Sequence, residues 1–158
     1  MTRIEDLAEP LEPAAEVVQD AVKAVPQPVR DVLDGVWLGN PLHPALTDVP
    51  IGAWTVAAAL DLLGSDAADE ALAVGVAAAI PAALTGLNDW SHLQGDTRRL
   101  GVVHALVNTM GLTLNVGSLA LRRSGHRGLA RVLSGVGYLG VLFSAHIGGR
   151  LSSASACA

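Results

Sequence analysis

The chain has 158 residues, of which 51% are hydrophobic and only 16% charged, where a soluble domain carries a charged share of roughly 25%. By length it is one domain, and it is too apolar for an ordinary soluble surface. The formal net charge is -5, and three Trp, one Tyr and one Phe are the only aromatic side chains, so neither a basic patch nor a stacking platform exists and nucleic-acid binding is excluded.

One cysteine, Cys157, rules out an in-chain disulfide, a thiolate zinc site, an iron–sulfur cluster and a CxxCH haem attachment. Any metal must be held by His, Asp or Glu. Residues 1–38 hold eight acids (Glu5, Asp6, Glu9, Glu12, Glu16, Asp20, Asp31 and Asp34) against three bases (Arg3, Lys23 and Arg30), while residues 39–158 hold seven of each, so the net charge belongs to the head. The first six residues have no basic n-region or apolar h-region, and no cleavable signal is expected. Leu7, Leu11, Ala14 or Ala15, Val18, Val22 and Val25 recur at helical spacing, which predicts an amphipathic helix broken by Pro26 and Pro28. A short piece with Val29, Val32, Leu33 and Val36 leads to Trp37, a residue suited to the membrane interface. The competing reading of this head is a partly disordered leader.

Four apolar segments follow, about 49–63, 71–87, 100–121 and 132–149. As helices they reach roughly 25–30 Å, the hydrocarbon thickness of a bilayer. They are long, Ala-rich and show no alternation, which excludes strands, and 158 residues cannot bury four helices that are apolar all round. The expected fold is therefore all-α, an integral membrane four-helix bundle (39–150) preceded by the amphipathic segment (1–38) and followed by a tail (151–158). Thr47 or Asp48 is the expected N-cap of the first span, with Pro50 in its first turn. Pro81 is expected to bend the second or to mark a carbonyl satisfied by a neighbour. Gly111, Gly117, Gly135, Gly137 and Gly140 are small residues that permit close helix approach.

With four crossings the polar residues sort by face. His43, His92, His104 and His146 fall on the face carrying the N-terminus, and only His126 falls opposite. His104 and His146 lie at matched depth on antiparallel segments, the placement two axial ligands of a b-type haem require; His43 can replace either. His104, Asn108, Gly111, Asn115 and Ser118 form one stripe at spacings of four and three. In lipid such a stripe must face protein, cofactor or water. Asn115 and Ser118 read as inter-helix glue, whereas His104 and Asn108 read equally as glue or as site residues. His43 in its Pro-flanked loop can simply bond a carbonyl, and His92 in a polar loop reads as solvated. Asp48 and Asp89 share the face and could complete a non-haem site with three histidines. The simplest role of Asp89 is a salt bridge or cap near Arg98 and Arg99, and Asp61 is expected to be neutralised by Arg122, Arg123, Arg127 or Arg131.

Leu38-Gly39-Asn40-Pro41-Leu42-His43-Pro44, Val49-Pro50-Ile51-Gly52-Ala53-Trp54, Thr85-Gly86-Leu87-Asn88-Asp89-Trp90 and Arg98-Arg99-Leu100-Gly101-Val102-Val103-His104-Ala105-Leu106-Val107-Asn108 resemble the bacterial membrane family catalogued as "domain of unknown function 2231", over roughly residues 36–150. The resemblance implies a four-helix membrane domain, joined in some relatives to a Rieske-type ferredoxin, with His43, Asp89, His104 and Asn108 at motif positions and His146 similar to a histidine near the end of the last helix. Asn40 stands where many relatives have a first histidine, and no ferredoxin follows Arg150.

Three functions are expected in this order: a haem b membrane protein passing electrons to a ferredoxin-like or other redox partner, with His43, His104, His146 and Asn108 at the cofactor; a non-haem metal protein using His104, His146 and His43, with His92, Asp48 or Asp89 as further ligands; and a cofactor-free anchor or assembly subunit. No nucleophile–base pairing argues for hydrolysis, so an electron carrier or subunit is favoured over an enzyme. The lipid bilayer is the first partner, and a homo-oligomer is compatible with the small-residue faces. The location is the cell membrane, multi-pass, with the histidine face and both termini cytoplasmic. The acidic head on that face can steer a basic partner.

Overall fold

The computed structural model describes residues 3–155, with side chains to 151; Cys157 and the end of the 151–158 tail lie outside them. Among the described residues there is no strand. A 3-10 helix, Ile4–Leu11, leads into α1 (Glu12–Lys23), α2 (Gln27–Asp34) and a 3-10 turn, Val36–Leu38. Four long helices follow: α3 (Leu42–Leu62), α4 (Ala68–Trp90), α5 (Gly95–Arg123) and α6 (Arg127–Ser155). All four are long and apolar enough to cross a membrane.

Each long helix outruns its apolar segment, because flanking polar residues continue the hydrogen-bonded ladder. The largest difference is at α3, which starts at Leu42 rather than near Val49. Pro44 falls in its first turn, where backbone donors have no carbonyl to reach and a missing N–H costs nothing. Neither Thr47 nor Asp48 is the N-cap: Pro41 holds that position, and the Thr47 hydroxyl donates to the Pro44 carbonyl at 2.8 Å. His43 consequently sits on a helix and not in a stiff loop. In the head the break comes at Pro26, as the sequence predicts, and α2 carries Pro28 in its first turn.

The bundle is apolar outside and small or polar inside. Val56, Val74, Ile80, Leu106, Met110, Leu139 and Phe143 are each more than half exposed, whereas Asn88, Asn115, Ser118 and Ser144 are fully buried. Water would favour the reverse. In lipid, apolar side chains lose nothing by facing outward, and polar groups must find partners within the protein.

α3 packs chiefly on α4 and α5 on α6, and the two hairpins meet through α4 against α5 and α3 against α6. The hairpins repeat one another. His43, Pro50, Trp54, Ala57 and Asp61 of α3 correspond to His104, Gly111, Asn115, Ser118 and Arg122 of α5 at a constant offset of 61 residues. The middle three of each set are buried. One residue further apart, Ala68, Gly75, Ala82 and Gly86 of α4 correspond to Ala130, Gly137, Ser144 and Gly148 of α6. Even the helix ends agree: left-handed Gly64 and Gly125 follow α3 and α5, and the N–H groups of Ser65 and His126 return to the carbonyls of Leu60 and Leu121, both at 2.9 Å. That 6→1 closure needs a residue of positive φ, which glycine supplies without strain. The bundle is thus a tandem pair of hairpins about a pseudo-twofold running along it.

At the end formed by the α3–α4 and α5–α6 loops, the repeat carries opposite charges. The Arg122 side chain, only 1% exposed, pairs with Asp61 and with Asp69 (2.8 Å), Arg131 reaches Asp61 at 3.4 Å, and Arg127 holds Asp66 at 2.6 Å. The first hairpin supplies the acids and the second the bases. The expected neutralisation of Asp61 is therefore met by Arg122 and Arg131.

Candidate functional site

The opposite end carries the histidines, at the start of α3 and α5. His43 donates from Nδ1 to the Ala82 carbonyl at 2.9 Å, and His104 from Nδ1 to the Ser144 carbonyl at 3.0 Å. In each case the acceptor belongs to the second helix of the same hairpin. A carbonyl can only accept, so both rings carry their proton on Nδ1 and present the Nε2 lone pair. A glycine one turn beyond each acceptor makes room for the ring. A Cβ at Gly86 would stand 2.6 Å from His43 Cε1, and one at Gly148 would stand 3.2 Å from His104 Cε1.

The sites then differ. His104 Nε2 accepts from Asn108 Nδ2 at 3.0 Å, which joins the two stripe residues the sequence left open. At Thr47, the position corresponding to Asn108, the hydroxyl turns back to its own helix, and among the described residues no hydrogen bond reaches His43 Nε2. Lower in the stripe, Ser118 bonds the Ala130 carbonyl of α6 at 2.7 Å, the inter-helix gluing role expected of it, whereas the Asn115 amide turns back to the Gly111 carbonyl of its own helix at 2.9 Å.

Four expected ligands, His146, His92, Asp89 and Asp48, are elsewhere. His146 is exposed on α6, away from His104, so the matched-depth pair of His104 and His146 does not face across the bundle. The reason is angular: α6 turns Ser144 and Ile147 inward, and position 146 lies roughly 200° round the helix from 144. His92 is not simply solvated; Arg30 Nη2 lies 3.3 Å from its Nε2 and Asp34 Oδ1 lies 3.4 Å from the same atom. Asp89 makes no salt bridge with Arg98 or Arg99, because Glu12 of the head takes both, Arg99 at 2.6 Å. Asp48 is exposed on α3. No group of three or more His, Cys, Asp or Glu among the described residues is placed to hold a metal ion.

What the sequence missed is how the head covers this end. Gln19 of α1, 5% exposed, donates at 2.9 Å to the carbonyls of both Ser91 and Leu93. Arg30 of α2, 8% exposed, reaches Asn88 Oδ1 and the Ser91 hydroxyl at 3.3 Å, and Asn88 returns a bond to Asp34 at 2.5 Å. The Arg99 and Arg98 guanidinium groups hold the Glu12 carboxyl below the usual carboxylate range. The head is therefore a cover latched to the α4–α5 connection, not a partly disordered leader. A glutamine on the predicted amphipathic helix and an arginine on the short piece after it were the only signals, and either reads as solvated without a partner in view.

Neither a family model, nor a curated protein, nor a solved structure matches the chain. The site stands on its geometry.

Proposed function

We propose that this is a multi-pass membrane protein whose His43 and His104 form the ligand pair of a b-type haem used in electron transfer, within a bacterial membrane family of the "domain of unknown function 2231" type. The observation that carries it is the shared tautomer: at equivalent positions of two hairpins, Nδ1 is committed to a main-chain carbonyl, which fixes the ring and makes Nε2 the nitrogen that can act as a ligand. The donor set would suit an iron porphyrin, to which His43 and His104 would each supply one imidazole nitrogen, better than a bare metal, which usually takes three or more protein ligands.

When bound, the haem supplies a one-electron couple. The chain's own residues hold the imidazoles in one orientation; Asn108, which donates to His104 Nε2 at 3.0 Å, would have to release that nitrogen for His104 to hold the group. The latched head keeps water from the histidine end. Exposed Glu9, Glu16 and Asp20 on its outer surface offer a basic redox partner an electrostatic landing face, on the cytoplasmic side in this reading; a reporter fused after Ala158 tests that orientation. Extraction of protoporphyrin from detergent-purified protein, expressed with ample haem, tests the cofactor: a stoichiometric yield supports it, and none overturns it.

A second reading, the cofactor-free membrane subunit, is favoured by one observation, the Asn108 bond that already occupies His104 Nε2. Both histidines are then clasps within their hairpins. His43→Ala and His104→Ala lower thermal stability in either case, but only in this one do they leave visible absorption unchanged.

A further inference from the structure

His146, excluded from the ligand pair, lies in a different place of its own. A groove of about 400 Å³ runs between the N-terminal 3-10 helix and the end of α6. Its wall is apolar, formed by Ile4, Phe143 and Ile147, and its rim is cationic and polar, formed by Arg3, His146 and Arg150. Arg3 is tied to Asp96 at 2.9 Å and to Glu5 at 3.5 Å, which holds the one carboxylate lining the groove. Arg150 is exposed and has no acidic partner among the described residues. The rim thus keeps an uncompensated guanidinium in an otherwise acidic part of the molecule. Phe143 is 51% exposed, so the apolar wall continues onto the lipid-facing side of α6. His146 and Arg150 stand about one turn apart, roughly 6 Å along the helix, toward the C-terminal end of α6.

We propose that this groove binds an anionic phospholipid, its phosphate held by Arg150 with His146 as a further donor and one acyl chain lying along Phe143 and Ile147. A guanidinium presents paired N–H donors that match phosphate oxygens, and the apolar wall distinguishes a lipid from a free phosphate. The inference does not depend on the haem.

The test titrates a fluorescent short-chain phosphatidylglycerol against the full chain in a neutral detergent and follows anisotropy. Saturable binding is expected, with phosphatidylcholine competing at least about tenfold less well and Arg150→Gln weakening the probe by about tenfold, the range of one charge-assisted contact. His146→Ala should weaken it less, and Glu5→Gln, which removes the competing carboxylate, should strengthen it. Arg150 makes no ion pair among the described residues, so the melting temperature of Arg150→Gln stays at the parental value and the loss cannot be assigned to unfolding. Equal binding of the two lipids, an unaltered affinity in Arg150→Gln, or displacement of the probe by millimolar inorganic phosphate would overturn the proposal.

Discussion

Two glycines set the position of the histidine rings. Gly86 has no room for a methyl group beside His43, while Gly52 on α3 has nothing within 4 Å of the same added atom. Gly86→Ala should therefore lower stability by about 1–3 kcal/mol, the usual cost of overpacking, and Gly52→Ala should leave it level or higher; thermal melting in detergent compares the two. His43 was expected in a loop ahead of the first span and lies on α3, but the depth of His104 was legible from its distance to the start of the third segment, since a helix converts sequence separation directly into depth. Their acceptors were not, because the Ala82 and Ser144 carbonyls carry no side-chain signature. His146 misled for the complementary reason: depth along a helix is set by counting, but the face is set by what packs on the neighbouring residues, and Ser144 is the one that packs.

At the scale of elements, the head works as a latch whose two halves fail differently. Glu12 titrates lower in the folded protein than in a free chain. Its contribution is complete above the ordinary glutamate range, near pH 4.3, and is lost as pH falls through the lower folded value. Amide exchange of residues 4–23 should accelerate at that acidic limb, and Glu12→Gln should show the fast exchange already at neutral pH. Arg30→Ala acts on the other half: it leaves Asn88 and Ser91 buried with a donor missing, at a cost of about 1–3 kcal/mol, and should speed exchange of 27–38 while leaving the α5–α6 hairpin protected. The amphipathic pattern and the break at Pro26 were legible in the head because both are local. The grip of Gln19 and Arg30 on the α4–α5 connection was not, since it depends on which end of the bundle the head folds back upon.

The whole molecule is two hairpins of one design with the charge divided between them. The four spans could be read from hydropathy alone, but the repeat could not. Few identities survive at the 61-residue offset beyond the histidines and the glycines after α3 and α5, while Trp54 against Asn115 and Asp61 against Arg122 preserve position and not chemistry. Arg122→Gln leaves Asp61 and Asp69 facing each other without their shared buried cation and should cost about 3 kcal/mol or more. Asp61→Asn in the same background should return part of that loss. A denaturation series in detergent reads both, and additive losses would show that the two residues do not act as a pair.

The pseudo-twofold makes His43 and His104 equivalent, and the account depends on their acting together. The direct measurement is the reduced-minus-oxidised absorption spectrum of the purified protein, expressed with ample haem, beside His43→Ala, His104→Ala and His146→Ala. Haem ligation by His43 and His104 predicts a b-type α-band in the parent, its loss in each of the first two variants and its retention in the third. A parent without the band, or a band that survives loss of both His43 and His104, would contradict it.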